Sequence, residues 1–200
     1  MTEDVVRTFI AIELPDDLVR SLGRSISLLR ERVTTRDIKW VSAGSIHVTL
    51  KFLGDVAAAK VDDIRCSLEP ICAATQPMQL SVAGLGAFPS IRAPRVVWAG
   101  LEGDLEPLSS LARTMDAALA TLGYTAESRP FTPHLTLARV RQEATGDERA
   151  TLGAAILRTP SAQRLSFQAG SASVMRSLLT PGGAVYSRLA LLPFGPRSGQ

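Results

Sequence analysis

The chain has 200 residues, 46% of them apolar, which suits a folded core in one domain or two small lobes. Its formal charge of +3 is too small to announce a nucleic-acid binder, yet it leaves room for a basic cleft that attracts an anionic ligand. The acidic start MTEDVV lacks the basic segment and long apolar run of a secretory leader, and no apolar run reaches membrane-spanning length, so the expectation is a cytoplasmic protein with no membrane contact.

The elements alternate along the chain. The apolar run 7–14 reads as a strand. Pro15, Asp16 and Asp17 then open a helix, with the acids at its positive end. Leu18, Leu22, Ile26, Leu29 and Val33 step by three and four and mark its apolar face. A short strand is expected over 37–41 and a clear one over 47–53, punctuated by Gly54. Residues 60–75 have helical period, with a kink or split expected at Pro70. Cys66 and Cys72 lie six apart on that helix and face away from each other, so no disulfide is expected; two thiols are also too few for a structural zinc site. Strands follow over 78–88 and 95–101. Leu105, Leu108, Leu111, Met115, Leu119 and Leu122 then line a helix that Gly123 ends. A strand over 134–140, a helix over 145–157, and hairpin arms over 164–179 and 184–192 complete the order. Residues 193–200 are expected to form a loose tail. Trp40 and Trp98 read as core residues.

The order strand, helix, strand, helix, strand occurs twice. The chain's two histidines, His47 and His134, are 87 residues apart, and Arg7 and Arg95, which open strands, are 88 apart. That spacing indicates an internal two-fold duplication giving two lobes. A parallel α/β sheet and an antiparallel α+β arrangement are both compatible with the order; the closing hairpin and short links favour the second.

Each histidine opens the same phrase, HVTL at 47–50 and HLTL at 134–137. Side chains alternate along a strand, so His47 and Thr49 share one face, as do His134 and Thr136, with apolar anchors behind. Imidazole and hydroxyl then stand about 7 Å apart at the backbone and can converge on one small anion such as a phosphate. If the lobes face each other, two imidazoles meet there. One can accept a proton while the other donates one, the division of labour that in-line displacement at phosphorus requires. The threonine hydroxyls can bond the non-bridging oxygens. Neither histidine belongs to an HExxH pattern or an acidic cluster, and no Walker loop is present, so no metal and no cofactor is expected. A Ser–His–Asp triad would leave the second histidine without a role.

Paired H-x-[ST]-apolar motifs at this spacing resemble the 2H phosphoesterases. The flanks RTFIAIELP, IHVTLKFLGD, PRVVWAGL and RPFTPHLTLARV resemble the RNA 2′,3′-cyclic phosphodiesterases, historically called 2′-5′ RNA ligases, over about residues 7 to 192. The resemblance implies a single bilobal α+β domain over 1–200, with two antiparallel sheets lining a central cleft and helices outside. It implies metal-independent hydrolysis of RNA 2′,3′-cyclic phosphate ends to 2′-phosphates, with His47 as the acid at the 3′ oxygen, His134 as the base for water, and Thr49 and Thr136 holding the phosphate. The partner is then an RNA end or a cyclic nucleotide, and nothing calls for more than a monomer. The same pattern places Arg139 near the phosphate, although strand parity sets residues 134 and 139 on opposite faces unless a bulge intervenes. It also makes Phe9 a candidate for stacking on a nucleobase. Lys51 shares the parity of His47 and is expected to add positive charge to the cleft; Arg92 and Arg129 lie in loops at its expected edges. Two other functions remain: ATP-independent 2′-5′ ligation by the reverse chemistry, and a nucleotide-binding module without turnover. A nucleotidyl-lysine ligase is disfavoured, because KFLG at 51–54 has Leu53 where K-x-D-G needs its acid.

Overall fold

The first apolar run forms strand β1 (Val5–Glu13), and Pro15 caps helix α1 (Asp16–Arg32), with Asp16 and Asp17 in its first turn. In this computed structural model, which describes residues 4–160, 165–180 and 183–195, the order continues as β2 (Ile38–Trp40), β3 (His47–Ala57), α2 (Val61–Ala74), β4 (Met78–Phe88) and β5 (Val96–Gly103). Then follow α3 (Leu105–Thr121), β6 (His134–Val140), α4 (Gly146–Arg158), β7 (Ser166–Ala169), β8 (Ser171–Thr180) and β9 (Gly183–Pro193).

All pairings among these strands are antiparallel, in the order β7-β4-β5-β6-β3-β1-β8-β9, with β2 beside β6. The fold is therefore α+β. The two expected sheets are two four-stranded wings, β7-β4-β5-β6 and β3-β1-β8-β9. They meet where β3 and β6 pair at one position, Val48↔Leu135. The wings are not the two sequence halves. Strand β4 comes from the first half and pairs with β5; β8 comes from the second half and pairs with β1. Each wing is completed by a strand of the other half.

One core lies between the sheet and the helices. It takes Leu18, Leu22 and Leu29 from α1, Ile64 and Leu68 from α2, Leu108, Met115 and Leu119 from α3, and Leu152 and Ile156 from α4. The sheet supplies Ile10, Ile12, Val48, Leu80, Val97 and Leu135 from below. Each such Leu or Ile contributes about 1.5–3 kcal/mol on burial. The other sheet face is concave and carries the histidines.

Three expectations change. Helix α2 is not split at Pro70, because Ile64, Leu68 and Cys72 form one buried stripe across that position. The single arm expected over 164–179 is two strands. Ser166–Ala169 pairs with β4 in one wing, and after Gly170 the chain enters β8 in the other. Alternation alone cannot reveal a change of partner. The tail is anchored as far as Gly195: Phe194 is buried and its amide donates to the Gly170 carbonyl, while the Gly195 amide donates to Thr75. Residues 196–200 lie outside the described residues. The hairpin around TPGG closes with Thr180↔Gly183, and Pro181 and Gly182 are likewise outside them.

Candidate active site

Val48 and Leu135, the pair that joins the wings, point into the core. Continuing that antiparallel register opposes His47 to Thr136 and Thr49 to His134, on the concave face. The ladder stops at this one pair, so the strands splay apart on either side and the four polar residues stand at the mouth of the seam. The expected confrontation of two lobes is thus a side-by-side arrangement across the join of one curled sheet.

Both rings are held alike. The Nδ1–H of His47 donates to the Ser45 carbonyl at 2.9 Å, and that of His134 to the Thr132 carbonyl at 2.7 Å. A carbonyl can only accept, so Nδ1 carries a proton in each ring. Each Nε2 is left to gain or lose one, and among the described residues neither has a hydrogen-bond partner.

The surroundings differ. His47 stacks on Phe9, with ring centroids 4.7 Å apart, and meets the edge of Tyr186 at 5.2 Å. Burial holds its imidazole below the usual 6.5, against the opposing pull of the Ser45 carbonyl and the Glu13 carboxylate; the charges of Arg139 and His134 push it down further. Glu13 is itself gripped. The Arg188 guanidinium donates two bonds to it, at 2.8 and 3.0 Å, and the Ser173 hydroxyl a third, so its carboxyl sits below the ordinary range although burial opposes this. His134 meets the edge of Phe88 at 5.2 Å, and Phe88 packs on Trp98. Trp98 opposes Thr136 in the ladder and so lies on the concave face rather than in the core. Its indole lies across Gly86, where a Cβ would come within 2.3 Å of the ring. Trp40 packs partly buried against the main core, as expected.

Two bulges decide which side chains join this face. In the β5–β6 ladder, Val97 opposes Ala138 but Trp98 opposes Thr136, so Leu137 is an extra residue. Parity flips, Ala138 is buried, and Arg139 returns to the face of His134, where its charge reaches His47. The β1–β3 ladder repeats the device: Ile10 opposes Lys51 and Ala11 opposes Thr49, so Leu50 is extra. Here the flip removes a candidate. Lys51 points into the core side, 4% exposed, and its ammonium lies 2.6 Å from Asp116 on α3 and donates to the Thr125 carbonyl. It is therefore turned away from the cleft it was expected to line. Phe9 is on the expected face, but at 4% exposure it lies beneath His47 and Tyr186 and presents no open ring to a base.

Sequence reasoning passed over Glu13, Tyr186, Arg188 and Phe88. Only Glu13 carried a signal, as an acid at the end of an apolar strand with the parity of Phe9. Among the described residues no three His, Cys, Asp or Glu side chains gather to hold a metal ion, and no helix is long and apolar enough to cross a membrane.

Comparison with known proteins agrees with this geometry. The family model for LigT-like phosphoesterases matches the chain twice, over residues 12–98 and 101–186, once for each histidine motif. The chain belongs to that family, one of two-histidine phosphoesterases. It is 33% identical to the RNA 2′,3′-cyclic phosphodiesterase of Methanothermobacter thermautotrophicus over 91% of this chain and 95% of the relative. To the protein of the same name from Archaeoglobus fulgidus it is 32% identical, over 92% and 98%. A crystal structure of a Thermus thermophilus protein superposes with a TM-score of 0.76 at 26% identity, over 94% of this chain and 97% of that one. Escherichia coli LigT complexed with 3′-AMP gives 0.75 at 24% identity, over 96% and 99%, a likeness of fold.

Proposed function

We propose that this protein is an RNA 2′,3′-cyclic phosphodiesterase that opens the cyclic phosphate to a 2′-phosphate by metal-independent acid–base catalysis. The observation that carries the reading is the matched pair of imidazoles at the β3–β6 seam, each with Nδ1 tied to the backbone two residues upstream and Nε2 open. His134 Nε2 takes the proton from water as it attacks phosphorus, and His47 Nε2 delivers a proton to the departing 3′ oxygen. Thr49 and Thr136 donate to the non-bridging oxygens, and Arg139 offsets the charge that builds on them. The low proton affinity of His47 suits a strong acid once loaded. An arriving anionic phosphate screens it from Arg139 and raises that affinity. The RNA end is the partner, met by a chain acting in the cytoplasm.

Reverse ligation uses the same groups, and a binding module would need neither proton shuttle. Supplying a 2′,3′-cyclic phosphate oligonucleotide alone, and then with a 5′-hydroxyl acceptor, separates them: hydrolysis to the 2′-phosphate is expected to dominate, and to survive chelators. His47→Ala and His134→Ala are each expected to lower kcat by about 10²–10⁴. Wild-type rates in both variants would remove the reading.

A further inference from the structure

Beyond Thr49, β3 carries one more large side chain on the concave face. The bulge at Leu50 that sends Lys51 inward brings Phe52 out, five residues after His47, as Arg139 stands five after His134. Phe52 is 44% exposed, an unusual position for a large aromatic ring. On the adjacent strand Arg7 is also exposed, and its guanidinium carbon lies 4.7 Å from the Phe52 ring centroid, within cation–π range. Among the described residues no carboxylate forms an ion pair with Arg7. Phe52 opposes Phe9 in the ladder, and Phe9 lies under His47, so the strip from imidazole to Arg7 is continuous.

We propose that Arg7 and Phe52 form a stacking subsite for the nucleobase of the nucleotide that precedes the cyclic phosphate, so that the enzyme selects an RNA strand over a lone cyclic nucleotide. This rests on the phosphodiesterase reading above. The terminal ribose is tied to phosphorus through both its oxygens, which keeps its base within one sugar's width of the histidines. Phe52 lies two ladder steps along from Thr49, because the extra residue Leu50 adds no advance, so about 7 Å at about 3.3 Å per step, where the next base falls. A ring accepts any base on its face, and the unpaired guanidinium meets the phosphodiester that links the two nucleotides. The subsite therefore confers length preference without reading sequence.

The test compares a 2′,3′-cyclic mononucleotide with a trinucleotide ending in a 2′,3′-cyclic phosphate. Phe52→Ala is expected to raise KM for the trinucleotide about tenfold and to leave kcat, and both constants for the mononucleotide, within about twofold of wild type. Phe52→Leu, which keeps the apolar cover but cannot stack, should behave the same way. Arg7→Ala should raise the trinucleotide KM and flatten its salt dependence. Equal effects on both substrates, or none on the trinucleotide, overturn the subsite while leaving the phosphodiesterase intact. Should the wild type turn over neither substrate, the phosphodiesterase reading fails instead. Binding of a fluorescent trinucleotide bearing a 2′-phosphate then decides the subsite separately: weaker binding to Phe52→Ala upholds it, and unchanged binding ends it.

Discussion

His47 and His134 are alike in their backbone tether and unlike in their setting. His47 is packed on top of Phe9 and against the edge of Tyr186, and its burial, with the positive charge of Arg139, favours its neutral form in the ligand-free protein. Because the chain holds only two histidines, their ring signals can be assigned with one substitution. In NMR titrations His47 is expected to titrate below 6.5, and inorganic phosphate should move its midpoint upward. A midpoint at or above 6.5 in the free protein would contradict the electrostatic account. For kcat/KM, which reports the free enzyme, the role proposed for His47 as the acid puts the alkaline limb below 6.5 as well. The same shift bears on stability. A histidine depressed on folding contributes stability above its unfolded value that is lost as pH falls through the folded one, and the depressed Glu13 carboxyl acts in the same direction at lower pH. Acid should therefore loosen the His47 wall.

At the scale of the element, the bulges matter most. Period-two alternation carries a side chain's face along a strand only while the ladder is regular. Leu50 and Leu137 each interrupt it, three residues after a histidine. For that reason His47, Thr49, His134 and Thr136 were legible in the sequence, as members of one short regular stretch, while Lys51 and Arg139 fell on the faces opposite to those their parity implied. Nothing in two leucines within apolar runs marks them as extra residues. The inward turn of Lys51 has an energetic consequence. Its ammonium is buried, whereas Asp116 keeps some solvent; burial pushes the Asp116 carboxyl up, but the bonds from Lys51 and the Glu127 amide together hold it low. Removing Asp116 leaves the buried cation only the more distant, exposed Glu127 carboxylate at 3.8 Å and the Thr125 carbonyl; removing the lysine leaves a carboxylate that water can reach. Asp116→Ala is accordingly expected to destabilise by about 3 kcal/mol or more, and Lys51→Met by clearly less, measured by denaturant unfolding. Equal losses would mean the pair does not act as a buried charge. Since Asp116 also accepts from the Glu127 amide, and Lys51 donates to Thr125, the pair fixes the α3–β6 connection that ends at His134.

For the whole molecule, the exchange of strands between halves makes the fold indivisible. The wing of His47 needs β8, and the wing of His134 needs β4. Fragments 1–90 and 91–200 expressed separately are each expected to lack cooperative unfolding, and to recover it and activity only when combined. A half that folds alone would show the wings to be independent lobes.

The duplicated phrase, the helical stripes and the short polar–apolar alternation were determined by the sequence alone, because each depends on residues within a few positions of one another. From them followed the α+β class, the two-fold plan and the four polar groups of the site. Which strand pairs with which, where a ladder slips by one residue, and how the two wings join at Val48 and Leu135 depend on contacts between distant segments. Those contacts are chosen by packing against the shared core, so the second ring of the site, from Glu13 and Arg188 to Phe52, was decided only by the tertiary structure.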